Sequence, residues 1–125
     1  MDSLPQNYRA LVIGATGAIG AAFVQRLQAD VRCAQVLALG RSSTPRIDFA
    51  DEQSVAAAAA ALAGEGPFHL VVNAAGMLHG EHGLPEKRLA QLNYAQLEQT
   101  FRTNTFGPAL VLAHFAPLLD RQRSV

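Results

Sequence analysis

Three glycines recur at every third position in the stretch VIGATGAIG, at Gly14, Gly17 and Gly20, between an apolar run and a helical pattern. A parallel strand that turns straight into a helix leaves the first helical N–H groups without partners. Those donors, with the helix dipole, favour a phosphate at that spot. Glycine suits such a turn because a side chain would block the positive dihedral of the turn or the close approach of a pyrophosphate. Thr16 adds a hydroxyl, and Ala18 and Ile19 complete the turn. The competing reading is a plain tight turn that binds nothing.

A second constellation lies near the carboxyl end. Leu97, Phe101, Asn104, Pro108, Val111, Phe115 and Leu118 recur at steps of three and four, a single helical stripe expected to face the core. Asn104 is its polar exception, and a buried amide must be hydrogen-bonded. Residue 108 would normally donate its N–H to the carbonyl of residue 104, but proline has none, so the helix should kink there. A trapped water is the simplest donor for the freed carbonyl; an asparagine that only fixes helix register is the alternative. His79 and His82 stand three apart in a glycine-rich loop without further ligands at a suitable spacing, so no metal is expected. Ser3, Ser42, Ser43 and Ser54 lack the histidine–acid company of a hydrolase.

Positioning these groups requires alternating strands and helices. Residues 10–13 read as a buried strand closed by Gly14, and residues 18–29 as a helix carrying Ile19, Ala22, Phe23, Val24 and Leu27. Residues 33–39 form a second strand closed by Gly40, and residues 46–49 a short extended piece treated as a third. A helix over 51–63 contains unbroken alanine at 56–61, with Gly64 where it should stop. Residues 68–73 form the next strand, 77–87 a loop, and about 94–119 one long helix. The strands are apolar almost throughout, as strands covered on both faces should be. The expected class is α/β, a Rossmann-like doubly wound parallel sheet in a single domain over 1–125.

Half of the residues are hydrophobic and 16% are charged, which supports a real core and argues against disorder. Ten acids balance ten bases, and no basic stripe is present, so neither nucleic acid nor an anionic membrane surface is an expected partner. The lone Cys33 excludes an intrachain disulfide, and the start MDSLPQNYRA has no apolar block of a secretory signal. The expected location is the cytoplasm.

The glycine turn, the second strand, IDFAD at 47–51 and NAAG at 73–76 together resemble the short-chain dehydrogenase/reductase family. Its usual glycines fall at positions equivalent to Gly14, Ala18 and Gly20; here residue 18 is alanine and Gly17 is extra, closer to the variant of extended and atypical members. MLHGEHGLPEK and TFRTNTFGPALVLAHFAPLL are similar to the branch that includes C-factor-type cell-signalling proteins. The resemblance implies carbonyl reduction or alcohol oxidation of a small molecule by hydride transfer with a nicotinamide dinucleotide. It implies that Asp48 accepts from the adenine amino group with Phe49 contributing backbone, although Asp48 reads equally as a helix cap. It further implies that Ala74, Ala75 and Gly76 line the adenosine ribose, that Asn73 holds the central sheet together, and that Asn104 keeps the water of a proton relay.

In dinucleotide folds an acid about twenty residues past the glycine turn binds the ribose 2′-hydroxyl of NAD. Here that position falls on Gly40 and Arg41, which leave room and a guanidinium for a 2′-phosphate, with Arg46 a possible second partner. NADP is therefore favoured over NAD. The family's catalytic serine and Tyr-x-x-x-Lys have no counterpart here. Tyr8 and Tyr94 are followed four residues on by Val12 and Glu98, and the sole lysine is Lys87. The chain is expected to be an amino-terminal cofactor-binding part, inactive alone, whose strand over 68–73 becomes an open edge that invites self-association or a partner chain. A non-catalytic dinucleotide-binding module in signalling or regulation is the alternative.

Overall fold

The computed structural model describes residues 3–78 and 85–125; His79 and His82 lie outside the described residues. Three strands, β1 (Tyr8–Ile13), β2 (Cys33–Leu39) and β3 (Leu70–Asn73), form a parallel sheet in the order β2-β1-β3. The central strand is apolar on both sides for a direct reason. Tyr8, Ala10 and Val12 join one buried cluster with Leu4 and Leu27, while Leu11 and Ile13 join the other with Leu39, Val55, Phe68 and Phe115. Period-two alternation therefore feeds two cores, the arrangement of a doubly wound sheet.

Helix α1 (Ala18–Gln28) covers the first face, with Gly20 and Leu27 buried in its contact row. Ile19 stays 67% exposed at its first turn. Helix α2 (Glu52–Ala61) and helix α4 (Gly107–Phe115) pack against each other on the second face. The α2 alanines allow that closeness, since Ala58 and Ala59 are buried there with Ser54 and Val55. α2 ends earlier than expected, and Gly64 falls within a 3₁₀ turn, Ala63–Glu65. Residues 46–49 are not a sheet strand; they form a loop whose Asp48 makes an isolated bridge to Asp51. Among the described residues no helix is long and apolar enough to cross a membrane.

The expected single helix over 94–119 is interrupted. Helix α3 (Tyr94–Phe101) runs into a π turn, Arg102–Phe106, before α4, and a 3₁₀ turn, Ala116–Leu118, ends the segment. Gly107 donates its N–H to the Arg102 carbonyl, five residues back. Pro108 supplies the cause: it cannot donate, and its ring crowds the preceding turn. The wider turn inserts about one residue, which rotates everything before it by roughly 100° relative to α4. The inward row of α3 therefore slips back by one position. Gln96 is buried, whereas Phe101 (51% exposed) and Asn104 face outward, contrary to the single stripe expected; Val111 and Phe115 remain buried.

The outer edge of β3 is also less open than expected. Phe68 N–H bonds the Leu118 carbonyl at 2.9 Å, and Asp120 N–H bonds the Phe68 carbonyl at 2.7 Å. Val125 then exchanges bonds with the His69 carbonyl (2.9 Å) and the Val71 N–H (3.0 Å). Asp120 shapes the intervening turn by accepting from the N–H groups of Gln122 and Arg123, which hold its carboxyl below the usual range.

At the amino end of the sheet, the buried Tyr8 hydroxyl donates to Asp30 Oδ2 at 3.1 Å. Arg32 grips the same carboxylate, by its side chain first and then its backbone N–H, and holds Asp30 at about 2. Burial, then the Asp30 contact, push the Tyr8 phenol well above its ordinary value of 10.0.

Candidate functional site

The chain leaves the central strand β1 toward β2 on one side and reaches β3 on the other. A crevice must therefore open at the carboxyl ends of the strands, where the connections part. It does, as a cavity of about 620 Å³, within the usual range for small-molecule sites.

Its floor is the glycine turn. Gly14 adopts φ +78°, and a Cβ there would sit 2.5 Å from the Ala75 nitrogen and 2.8 Å from the Ala74 carbonyl carbon. The β1 exit and the β3 exit thus touch at a point where only glycine fits. A Cβ on Gly20 would fall onto the Gly14 carbonyl, 2.8 Å from its carbon, so Gly20 lets α1 close on the turn. Gly17 is different: the nearest atom to a Cβ there is the Gly14 oxygen at 3.5 Å, ordinary contact. Gly17 is the N-cap of α1 and offers no side-chain acceptor, and no acid stands in the first turn. By contrast Asp51 caps α2, accepting from Gln53 N–H (3.1 Å) and Ser54 N–H (3.4 Å), and Asn93 caps α3. The α1 terminus therefore keeps its donors for another acceptor.

Gly14, Thr16, Gly17, Arg41, Asp48, Phe49, Ala74, Ala75 and Gly76 all line the cavity. Ala18, Ile19, Gly20, Asn73 and Asn104 do not. Ala18 and Ile19 lie exposed on α1, and Gly20 is buried beneath the turn. The Asn73 side chain accepts from Ala75 N–H at 3.1 Å, a local bond that shapes the turn. Asn104 is not a buried amide. It pairs with the Met77 backbone, accepting from its N–H at 2.9 Å and donating to its carbonyl at 2.8 Å, and so clamps the β3 exit to the π turn.

The electrostatics separate the two arginines. Arg46 is committed to Asp48 (2.5 Å) and Asp51 (3.4 Å). Arg41 is exposed on the cavity rim and makes no ion pair among the described residues. Asp48 is engaged as well, since its Oδ1 accepts from Ala50 N–H at 3.0 Å. The capping of α2 belongs to Asp51, not to Asp48.

Gln99, Arg102 and Thr103 also line the cavity, and the sequence reading passed over them. Their spacing of three and four makes a polar row whose signal in the sequence is masked by the apolar stripe beside it. A smaller cavity of about 300 Å³ lies between α1 and β2 and shares Thr16 and Gly40. Its Ser43 hydroxyl is already engaged with Gly40 and Pro45 backbone. Among the described residues no group of three or more histidine, cysteine or acidic side chains could hold a metal.

Residues 8–124 match the family model described as short chain dehydrogenase. The chain belongs to that family. No curated protein matches the sequence. Among solved structures, the chain is similar to an NADPH-bound carbonyl reductase from chicken fatty liver: 22% identity, 92% of this chain and 49% of that one, TM-score 0.77. It is also similar to the ligand-free aldohexose dehydrogenase of Thermoplasma acidophilum: 20% identity, 94% and 46% coverage, TM-score 0.75. A third, described as a small-chain dehydrogenase in complex with NADPH, shares 23% identity over 93% of this chain and 48% of its own, with a TM-score of 0.71. At these identities the likeness establishes the Rossmann-type fold. The chain spans about half the length of these structures.

Proposed function

We propose that the chain forms the cofactor-holding part of an NADP-dependent oxidoreductase acting on a small carbonyl or alcohol. The observation that carries this reading is the uncapped α1 terminus, opening with Gly14 and Gly17 onto the switch-point cavity beside a free Arg41. The fit is chemical as well as spatial. The turn supplies N–H donors for a pyrophosphate, and Arg41 supplies the guanidinium for a 2′-phosphate. Ala74, Ala75 and Gly76 give a wall low enough for a ribose to lie along it. Asp48 contributes an acceptor at the adenine end only by sharing it with Arg46, so Phe49 backbone carries more of that contact. When bound, the nicotinamide would supply or accept the hydride.

The chain's own residues bind and orient; none described is placed to donate the proton. Tyr8 is buried at the opposite end of the sheet with its hydroxyl on Asp30, and Tyr94 is 91% exposed at the start of α3. In this reading Asn104 is auxiliary, through the Met77 backbone that it holds. The second reading is a dinucleotide-binding module in signalling or regulation, the role that a resemblance to the C-factor-type branch would imply. We further propose a cytoplasmic location, and self-association through the apolar residues left outward on α3 and α4.

Calorimetric titration with NADPH and NADH in parallel tests the proposal. NADPH should bind with a clear preference, and Arg41→Ala should erase that preference, a loss of about 10- to 100-fold for one charged hydrogen-bonding partner. Binding of neither dinucleotide would end the reading.

A further inference from the structure

Gly107 opens α4 with φ −55° and ψ −53°, ordinary helical angles that alanine adopts more readily than glycine. Backbone conformation therefore does not explain a glycine there. Space does. A Cβ at position 107 would overlap the Phe49 ring, with Cε2 at 2.7 Å and Cγ and Cδ2 closer still. Cγ is the ring root, and rotation of the ring about its own axis leaves it in place. Relief requires the whole side chain to swing or the Phe49 backbone to move. The swing is resisted because Phe49 packs against the buried cluster that includes Ile13, Ile47 and Val111.

Phe49 is also a wall of the cavity, together with Asp48 and Ala50. These residues are tied to one another and to α2 by hydrogen bonds. Asp48 N–H bonds Ser54 Oγ at 2.8 Å, Ala50 N–H bonds Asp48 Oδ1 at 3.0 Å, and Asp51 N–H bonds the Asp48 carbonyl at 3.0 Å. A ring pushed off position 107 would carry that turn with it. We infer that Gly107 is a positioning residue: it admits the Phe49 ring against the helix and so sets where the Asp48–Phe49 wall stands at the adenine end of the cavity. The inference rests on the dinucleotide reading for its ligand, and on packing alone for its geometry.

The test is a double-mutant cycle on the full 125-residue chain, with Gly107→Ala, Phe49→Ala and the double variant titrated with NADPH. Gly107→Ala is expected to weaken binding at least tenfold in the parent background and less than twofold in the Phe49→Ala background. Equal losses in both backgrounds, or no loss in either, would overturn the inference, because the residue would then act through the helix or not at all. Backbone amide shifts of residues 48–50 read the geometry without ligand. If the parent binds no dinucleotide, the functional reading fails by itself; shifts moved by Gly107→Ala only where Phe49 is present would still uphold the positioning role, and unmoved shifts would refute it. If Gly107→Ala fails to fold, recovery of folding in the double variant upholds the role and continued failure refutes it.

Discussion

Replacing Asn104 by aspartate changes one atom at the clamp on Met77. The amide now accepts from Met77 N–H at 2.9 Å and donates to the Met77 carbonyl at 2.8 Å. A carboxylate keeps the first bond, loses the second and sets two oxygens facing each other. A net hydrogen bond contributes about 0.5–1.5 kcal/mol. With the oxygen–oxygen repulsion, partly offset by a stronger bond from Met77 N–H, Asn104→Asp should cost about 1–2 kcal/mol near neutral pH, or very roughly 4–8 °C in melting temperature. Protonation restores the donor. The aspartic acid is favoured in the folded chain, so its folded pKa lies above the unfolded value near 3.9, by about one unit for a penalty of this size. A group raised in this way contributes stability below the unfolded pKa and loses it as pH rises through the folded one. The stability gap to the parent should thus be small at pH 3 and open between about pH 4 and 5.5. Asn104→Ala loses both bonds and should show a gap that does not vary with pH. Urea unfolding of the three proteins from pH 3 to 8 measures this. A flat profile for Asn104→Asp, equal to the parent at pH 7, would show that the clamp is not formed in solution.

Gly14→Ala combines a left-handed backbone angle, about 1–2 kcal/mol, with overlap against Ala74 and Ala75, about 1–3 kcal/mol. Against a total stability of roughly 5–15 kcal/mol a loss of about 2–5 kcal/mol should lower the melting point followed by circular dichroism by about 10 °C or more, and a melting point within two or so degrees of the parent would contradict the tight contact. Tyr8 and Asp30 should give stability two pH limbs. Asp30, held at about 2 against its ordinary 3.8, contributes above pH 4 and is lost as pH falls toward 2. Tyr8, raised above 10.0, contributes below that pH and is lost above it. Asp30→Asn should flatten the acid limb and Tyr8→Phe the alkaline one, and urea midpoints unchanged in shape would count against the pair. Self-association should appear as concentration-dependent sedimentation. It should weaken in Leu112→Arg, which places a charge on a side chain 71% exposed on α4; a monodisperse monomer at all concentrations removes that proposal.

The parts of the fold legible in the sequence are those governed by neighbours along the chain. The buried alternation of β1, the positive dihedral at Gly14 and the helix that follows are all specified within about twenty residues. Propensity and turn chemistry read them without tertiary help. The same holds for Arg41, whose place one step past Gly40 puts it at the mouth of the switch point. Residues 46–49 misled because their alternating pattern is strand-like, while what holds them is Ser54 beneath the turn and Arg46 across it. Arg46 lies two residues from Asp48 and Ser54 lies six away, short-range contacts that make a turn and leave no strand periodicity. The Asn73 bond is equally local: a short polar side chain satisfies a nearby N–H, and Ala75 is two residues away.

Pro108 shows most plainly where local reading stops. Its missing N–H was visible, and a break near Asn104 followed from it. Whether the break becomes a kink, a 3₁₀ turn or a π turn is decided by what the flanking residues must reach. Asn104 pairs with Met77 on the β3 exit, and three positions later Gly107 receives Phe49 from the loop before α2. A straight helix in the phase of Val111 and Phe115 would place Asn104 on the core side, on the same stripe as those two buried residues. One extra residue in the turn rotates α3 by roughly 100°. It brings Gln99, Arg102 and Thr103 onto the cavity and leaves Phe101 and Phe106 outside, ring centroids 6.5 Å apart. The exposed aromatic pair and the polar cavity row are therefore two results of a single insertion. A variant that restores the missing donor, Pro108→Ala, should shift the helix toward regular geometry and disturb both together.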